Sequence, residues 1–317
     1  MDEPHAPESR PSALLRALEE IPDEVLRRMI PRERTVLLRT VSKAVRAAVA
    51  NTKPAALVKL KRCSPMARLE QGLLDMRRWC CVTALDLSET RVSAEGVAQL
   101  AEVLRPLCPS LAHLNIRGNG IGPTGTEQLT AVLAQCKSLA HFDLADNRLG
   151  SEGTCKLAGM LSKCPSLVRL EIPRNGVVDE GAGRLAAVLW HCRSLVHLNL
   201  RRNGIGPQGA GLLAAVFGKC PSLAHIDLGG NVLGDEGARR MSAQLEQCTS
   251  LTHLDLADNS MGPEGLVRLA GLVEKCPSLL YLDVSSNGIH VHPGFGLLLV
   301  GLHLSSSNMD FVINHFP

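Results

Sequence analysis

Aromatic residues are scarce in this sequence: two Trp, one Tyr and five Phe make up 3% of 317 residues. A core must therefore be assembled mainly from the aliphatic side chains among the 45% of residues that are hydrophobic. The scarcity also argues against nucleic acid as a partner, because no aromatic side chains are interleaved with Lys and Arg to stack on bases. A core built from aliphatic side chains favours regular, repetitive packing.

Long apolar runs and glycosylation signals are also missing. Residues 1–20 contain five acids, two Arg and three Pro, which predicts a disordered acidic tail and not a signal peptide. The longest C-terminal apolar stretch, Phe295 to Leu304, is shorter than the roughly 20 residues that cross a bilayer. No Asn-x-Ser/Thr sequon occurs. These features predict a cytoplasmic protein without a membrane partner, and a nuclear location is also compatible.

The sequence repeats with a period of 28 residues. An Asn closes each copy of a segment of the form LxxLxLxxN, as in Leu111–Asn119. Alternating apolar residues in this segment predict a short strand with one buried face. A Gly-rich turn and helical spacing follow, as at Leu129, Val132 and Leu133. One repeat is therefore strand, turn and helix, and the repeated Asn residues are Asn119, Asn147, Asn175, Asn203, Asn231, Asn259 and Asn287.

A unit of this length cannot bury its own apolar faces, so stacked copies must share one core. The pattern resembles the ribonuclease-inhibitor class of leucine-rich repeats over residues 80–290. That resemblance implies an α/β fold: a curved right-handed solenoid of about eight repeats with a parallel sheet on its concave face. It also implies that each repeated Asn bonds to backbone groups of neighbouring coils. Thr90 takes this place in the first copy, which is one residue longer, and residues 291–317 are predicted to cap the other end.

Residues 21–79 precede the repeats and are rich in helix formers, which predicts a small helical module. Ile21-Pro22-Asp23-Glu24-Val25-Leu26, with a second segment from Val36 to Lys43, resembles an F-box. This resemblance implies binding to the adaptor of cullin ubiquitin ligases through Ile21, Pro22, Leu26 and Val41. The alternative is a helical cap that seals the first repeat. The charge of +9 over residues 22–78 is interpreted as a solvated helix face.

Two patterns resemble chemical sites but follow the repeat. Gly120 to Gly125 and Gly204 to Gly209 both read GxGxxG, the dinucleotide fingerprint. Both lie at the phase where every copy needs a tight turn, so no cofactor is predicted. Seven Cys also recur every 28 residues and are predicted to be small, buried, reduced thiols. They are Cys108, Cys136, Cys164, Cys192, Cys220, Cys248 and Cys276.

Polar residues flank the middle apolar residue of each strand and are predicted to point outwards on the concave face. We expect this face to bind a protein partner, and we prefer that interpretation to a metal site because every repeat supplies the same residue types. The predicted partner-binding residues are His113, Arg117, His141, Asp143, Arg169, Glu171, His197, Asn199, Arg201, His225, Asp227, His253, Asp255, Tyr281 and Asp283. The histidines predict binding that depends on pH between about 5.5 and 7.

The sequence thus predicts a non-enzymatic protein-interaction scaffold, with substrate recognition for a cullin ubiquitin ligase as one specific role. Ran GTPase-activating proteins are similar solenoids and provide an alternative in which the chain stimulates hydrolysis by a GTPase. They typically carry a long acidic tail, which this sequence lacks. A ribonuclease-inhibitor-like or innate-sensor-like regulator is the third alternative.

Overall fold

The computed structural model describes residues 56–59, 82–92, 94–276, 278–288 and 310–312. Within these ranges, short strands alternate with helices. The strands are β1 Ala56–Lys59, β2 Val82–Asp86, β3 His113–Asn115, β4 His141–Asp143, β5 Arg169–Glu171, β6 His197–Asn199, β7 His225–Asp227, β8 His253–Asp255, β9 Tyr281–Asp283 and β10 Asp310–Val312. The helices are α1 Ala94–Leu104, α2 Gly122–Leu133, α3 Gly150–Leu161, α4 Val178–Leu189, α5 Pro207–Phe217, α6 Gly234–Leu245 and α7 Pro263–Lys275.

The strands form one sheet in chain order, and β2 to β10 pair in parallel. From β3 to β9 each residue lies opposite the residue 28 positions later, as His113 lies opposite His141. Between β2 and β3 the offset is 29, with Ala84 opposite His113. The α/β solenoid with stacked strand-helix repeats is therefore confirmed, including the longer first copy.

Aliphatic side chains fill the layer between the sheet and the helices. The middle residue of each strand is buried, from Leu114 to Leu282, and so are helix residues such as Leu129 and Leu185. Burial of each such side chain contributes about 1.5–3 kcal/mol. Phe142 and Phe217 are the only Phe residues among the buried core positions that the structure describes, which agrees with an aliphatic core.

The repeated Asn residues form a buried ladder between coils. Asn147 Nδ2 donates hydrogen bonds to Ile116 O at 3.0 Å and Leu144 O at 2.9 Å. Its own backbone N–H donates to Asn175 Oδ1 at 2.9 Å. Thr90 occupies the same place in the first coil and donates to Leu87 O at 2.7 Å. The role implied by the family resemblance is thus confirmed.

Two aspartates connect neighbouring coils by capping helices that are not their own. Asp179 in α4 accepts hydrogen bonds from Gly206 N at 2.7 Å and Gly209 N at 2.8 Å, at the start of α5. Asp235 in α6 does the same for Gly262 and Gly265 at the start of α7. Each carboxylate satisfies N–H groups that lack a partner within their own helix.

These caps explain two glycines of the GxGxxG pattern. A Cβ atom at Gly209 would lie 2.6 Å from Asp179 Oδ1, and one at Gly206 would lie 2.9 Å from Oδ2. The first glycine, Gly204, has φ +68° and serves the turn. Since a carboxylate of the chain itself already occupies the start of α5, the glycines serve the fold and not a nucleotide.

The cysteine prediction is wrong for one pair. Cys108 and Cys136 form a disulfide with Cα atoms 4.1 Å apart. A 28-residue period places equivalent cysteines in adjacent coils, close enough to bond. Cys164, Cys192, Cys220, Cys248 and Cys276 are buried free thiols as predicted. Burial raises the pKa of Cys192 to about 12, which makes that thiol a poor nucleophile.

One short strand is described in each of the two segments that flank the repeats, and the predictions of a helical module and a C-terminal cap stay predictions. Strand β1 lies within the module 21–79, between the segments predicted to be helical. Strand β10 lies within the predicted cap 291–317 and extends the sheet beside β9. The acidic tail 1–20 and the adaptor-binding residues Ile21, Pro22, Leu26 and Val41 lie outside the described residues. Among the helices that the structure describes, none is long and apolar enough to cross a membrane.

Candidate functional site

The open face of the sheet, opposite the helices, presents two columns of side chains. We call them the first and second columns, from the first and third residues of strands β3 to β9. The parallel register places equivalent residues side by side, as predicted. The first column is His113, His141, Arg169, His197, His225, His253 and Tyr281. The second column is Asn115, Asp143, Glu171, Asn199, Asp227, Asp255 and Asp283.

Rings contact one another along the first column. The centroids of His113 and His141 are 4.2 Å apart, and so are those of His225 and His253. Tyr281 continues the column at 5.7 Å from His253. Burial, with the neighbouring imidazoles second, lowers the pKa of His141 and His225. The neutral form of these two rings is therefore favoured at neutral pH.

The residues of the second column are the last residues of their strands, and their side chains stabilise the turns that follow. Asp227 Oδ1 accepts a hydrogen bond from Gly229 N at 2.9 Å, and Asn199 Oδ1 accepts one from Arg201 N at 2.9 Å. Asp143, Asp255 and Asp283 repeat this Asx turn two residues on. One carboxylate oxygen of each Asp is thus committed to the fold, and the second oxygen is available to the face.

Glu171 in β5 departs from this pattern. The residue two positions on is Pro173, which has no N–H to donate, so an Asx turn of this kind is impossible here. Glu171 Oε1 instead accepts a hydrogen bond from Arg169 Nε at 2.7 Å. The buried His197 Nε2 lies 3.0 Å from the same oxygen, a close polar contact without good hydrogen-bond alignment.

These contacts set the charge of Glu171. Its burial favours the neutral form, but His197 and Arg169 outweigh burial and lower its pKa. The carboxylate is therefore ionised at neutral pH and holds both neighbours in place. Arg169 and Glu171 interrupt the run of histidines and aspartates and divide the open face into two parts.

Arg201 crosses the face between strands. Its Nη1 donates a hydrogen bond to Asp255 Oδ2 at 2.9 Å and lies 3.6 Å from Asp227 Oδ1. Gly229 makes this path possible, because a Cβ atom there would collide with the Arg201 guanidinium. One guanidinium from the turn after β6 therefore pairs with carboxylates of both β7 and β8.

Three aspartates of the second column resist ionisation. Burial, with Asp255 as the nearest like charge, raises the pKa of Asp227 to about 6. Burial also raises the pKa of Asp143 and Asp255. The predicted dependence of binding on pH between about 5.5 and 7 stays a prediction, to which Asp227 adds a carboxylate with a pKa in the same range.

The face also contains a depression and a charged rim. A cavity of about 430 Å³ lies over β2 to β5. It is lined by Ala84, Leu85, Asp86, His113, Leu114, Asn115, Arg117, His141, Phe142, Asp143, Arg169 and Glu171. At its rim Arg117 pairs with Asp146 at 3.2 Å, and Arg174 lies 3.8 Å from the same carboxyl. Among the described residues, no group of three or more His, Cys, Asp or Glu is arranged to hold a metal ion.

Two contributors to the face were missed in the sequence. Asp86 in β2 extends the second column by one strand, and its Oδ1 accepts a hydrogen bond from Ser88 N at 3.0 Å. Alignment of Leu85-Asp86-Leu87 with the later repeats would have found it. Gly229 carries no signal of its own, because its role is to leave space for a side chain from the preceding coil.

The match to a known family of repeats agrees with this architecture. The "Leucine Rich repeat" family model matches residues 107–129, 135–158, 191–214, 219–242, 247–270 and 275–290, and leaves out 159–190. No curated protein matches the chain. Among solved structures, leiomodin-1 actin-binding site 2 is 15% identical, with a TM-score of 0.40 over 48% of this chain and 86% of that one. The tropomodulin C-terminal domain of Caenorhabditis elegans is 21% identical, with a TM-score of 0.40 over 48% of this chain and 92% of that one.

Proposed function

Because the chain is a leucine-rich-repeat solenoid, we propose that it is a non-enzymatic scaffold that binds a protein partner on the open face of its sheet. The observation that carries this proposal is the register of the two columns. Strands β3 to β9 present ring, carboxylate and guanidinium groups on one continuous surface, while the middle residue of every one of these strands is buried. Such a surface offers many weak polar contacts and selects a partner by the order of its charges.

The contacts of the ionisable groups support binding over catalysis. In the described part of the face, Glu171 is held by Arg169 and His197, and Asp255 is held by Arg201. The second-column aspartates are also tied to strand-ending turns. Pairing of this kind fixes side chains in place and leaves no activated nucleophile next to a base in this region.

Site-specific photocrosslinking tests the proposal. A photoreactive amino acid replaces Arg117 on the open face or Arg268 in α7, both in the full chain. We expect protein crosslinks from position 117 and few or none from position 268. Equal labelling from both positions, or labelling from position 268 alone, would contradict the proposal.

A more specific role is substrate recognition for a cullin ubiquitin ligase. The support is the F-box resemblance at Ile21, Pro22, Leu26 and Val41. Leu26→Ala and Val41→Ala in the full chain should weaken adaptor binding, whereas Arg27→Ala should not. Absence of adaptor binding at micromolar concentration would remove this role and leave the scaffold proposal intact.

A further inference from the structure

The open face over β7 to β9 is acidic and lined by rings. Asp227, Asp255 and Asp283 lie side by side in the second column. His225, His253 and Tyr281 lie beside them in the first column, with successive ring centroids 4.2 and 5.7 Å apart. We call these six residues the acidic end. Carboxylates next to aromatic faces form a surface that suits a planar cation.

The chain itself shows how a guanidinium sits on this surface. Arg201 comes from the coil before the acidic end and extends across it to lie between Asp227 and Asp255. Its Nη1 is 2.9 Å from Asp255 Oδ2, the oxygen that the Asx turn leaves available. Both carboxylates are partly buried, with 20% and 25% of their side chains exposed, so a cation here is well shielded from water.

The next pair of carboxylates has the same form, but no arginine of the described residues bridges its two members. Asp255 and Asp283 are again paired in register, one strand further on. Gly229, in the coil before this pair, occupies the position that corresponds to Arg201, and Ala257 and Ser285 occupy it in the two coils of the pair. Among the described residues, no Lys or Arg forms an ion pair with Asp283, whose Oδ2 accepts a hydrogen bond from the Tyr281 hydroxyl at 3.3 Å. The register also places Asp310 of β10 opposite Tyr281.

We propose that the acidic end binds an arginine side chain of the protein partner, between Asp255 and Asp283 and against the rings of His253 and Tyr281. This inference rests on the proposed scaffold function and specifies the partner's chemistry at one end of the face. The partner's guanidinium repeats, one strand further on, the placement of Arg201.

Arginine fits this position better than lysine does. A guanidinium is planar, donates several hydrogen bonds in one plane and stacks on ring faces. An ammonium is a strongly hydrated point charge that loses more solvation in a half-buried site. Burial raises the pKa of Asp255 although Arg201 opposes that shift, so a second cation beside Asp255 would favour its ionised form.

The single Tyr of the sequence is a built-in reporter for this site. Fluorotyrosine labelling of the full chain yields one ¹⁹F resonance, from Tyr281. The probe is a blocked peptide with two arginines, compared with its lysine and citrulline counterparts. We expect a saturable ¹⁹F shift with the arginine peptide, binding about threefold or more weaker with lysine, and no shift with the uncharged citrulline.

Isosteric variants locate the binding. Asp283→Asn keeps the acceptor for Ser285 N and removes the charge, so the arginine peptide should bind about fivefold more weakly. Asp143→Asn is the matched control, with the same turn to Ala145 at the other end of the face, and should leave the affinity unchanged. Asp255→Asn provides a second test at the acidic end.

Three results would overturn the inference: no ¹⁹F shift with the arginine peptide, equal affinity for arginine and lysine, or equal losses in Asp283→Asn and Asp143→Asn. Crosslinking from position 117 distinguishes this failure from that of the proposed function. Crosslinks from position 117 without binding of the arginine peptide would support the scaffold proposal and rule out the arginine site. If neither crosslinks nor arginine binding were observed, both proposals would be ruled out.

Discussion

Replacement of Asn203 by Ala tests the buried ladder that joins the coils. Asn203 is 1% exposed, and its side chain connects its own coil with the preceding coil. Its Nδ2 donates to Ile172 O at 3.0 Å and Leu200 O at 2.9 Å, while its Oδ1 accepts from Asn175 N at 2.8 Å. Alanine leaves these buried backbone groups without that partner.

The magnitude follows from the number of bonds. Each hydrogen bond contributes about 1–1.5 kcal/mol net, and leaving a buried partner unsatisfied costs more. Three short bonds therefore predict a loss of about 3–5 kcal/mol in the free energy of unfolding. Since domains are stable by only about 5–15 kcal/mol, this is a large part of the total. In a solenoid we expect the loss to concentrate in the coils next to position 203.

Urea unfolding followed by circular dichroism measures the effect. Asn199→Ala is the matched control, because Asn199 lies four residues earlier and its side chain accepts one hydrogen bond within the described residues, from Arg201 N at 2.9 Å. This control should lose about 1 kcal/mol or less. Asn203→Asp, which places an oxygen against two carbonyls, should lose at least as much as Asn203→Ala. If Asn203→Ala and Asn199→Ala lost similar amounts, the ladder would not carry the stability we assign to it.

Three further variants test local features. Val178 has φ +49° where Gly122 and Gly150 have +63°, so Val178→Gly should stabilise the chain by about 1 kcal/mol in thermal or urea unfolding, and Val178→Ala should not. Gly229→Ala should cost about 1 kcal/mol by displacing Arg201, and a double-mutant cycle should show no such cost in an Arg201→Ala background. Asp227 has a pKa raised from 3.8 to about 6 in the fold, so the wild type loses stability as pH rises through that range. Asp227→Asn should therefore be about 2–3 kcal/mol more stable than the wild type at pH 8, with the difference fading towards pH 4 in urea titrations; a constant difference would contradict the assignment.

The period of the sequence predicted the fold because each coil repeats the same pattern of apolar and turn-forming residues. Alternating apolar residues place Leu114 inwards and His113 outwards, and identical spacing brings His113 beside His141. The columns of the open face followed directly from this register. The Asn ladder followed from the family resemblance, and Thr90 took the predicted place.

The contacts between coils could not be read from the repeat alone. The period places Cys108 beside Cys136 but does not distinguish a disulfide from two thiols. Arg201 bypasses the nearest coil to reach Asp255, 54 residues later, only because Gly229 leaves space. Asp179 caps a helix that begins in the next coil. Each of these depends on side-chain reach in three dimensions, which a repeat consensus does not encode.

The coil around β5 explains why the open face has two distinct parts. The family model leaves out residues 159–190, and this segment holds Glu171, Pro173 and Val178, which all break the pattern of the other coils. Because Pro173 cannot donate to a strand-ending turn, Glu171 is released from the role that fixes the other acids of its column. Its carboxylate contacts the side chains of Arg169 and His197 instead. A partner that contacts both the depression over β2 to β5 and the acidic end must cross this cluster, so changes at Glu171 should alter binding at both parts, whereas changes at Asp143 or Asp283 should act on one part alone.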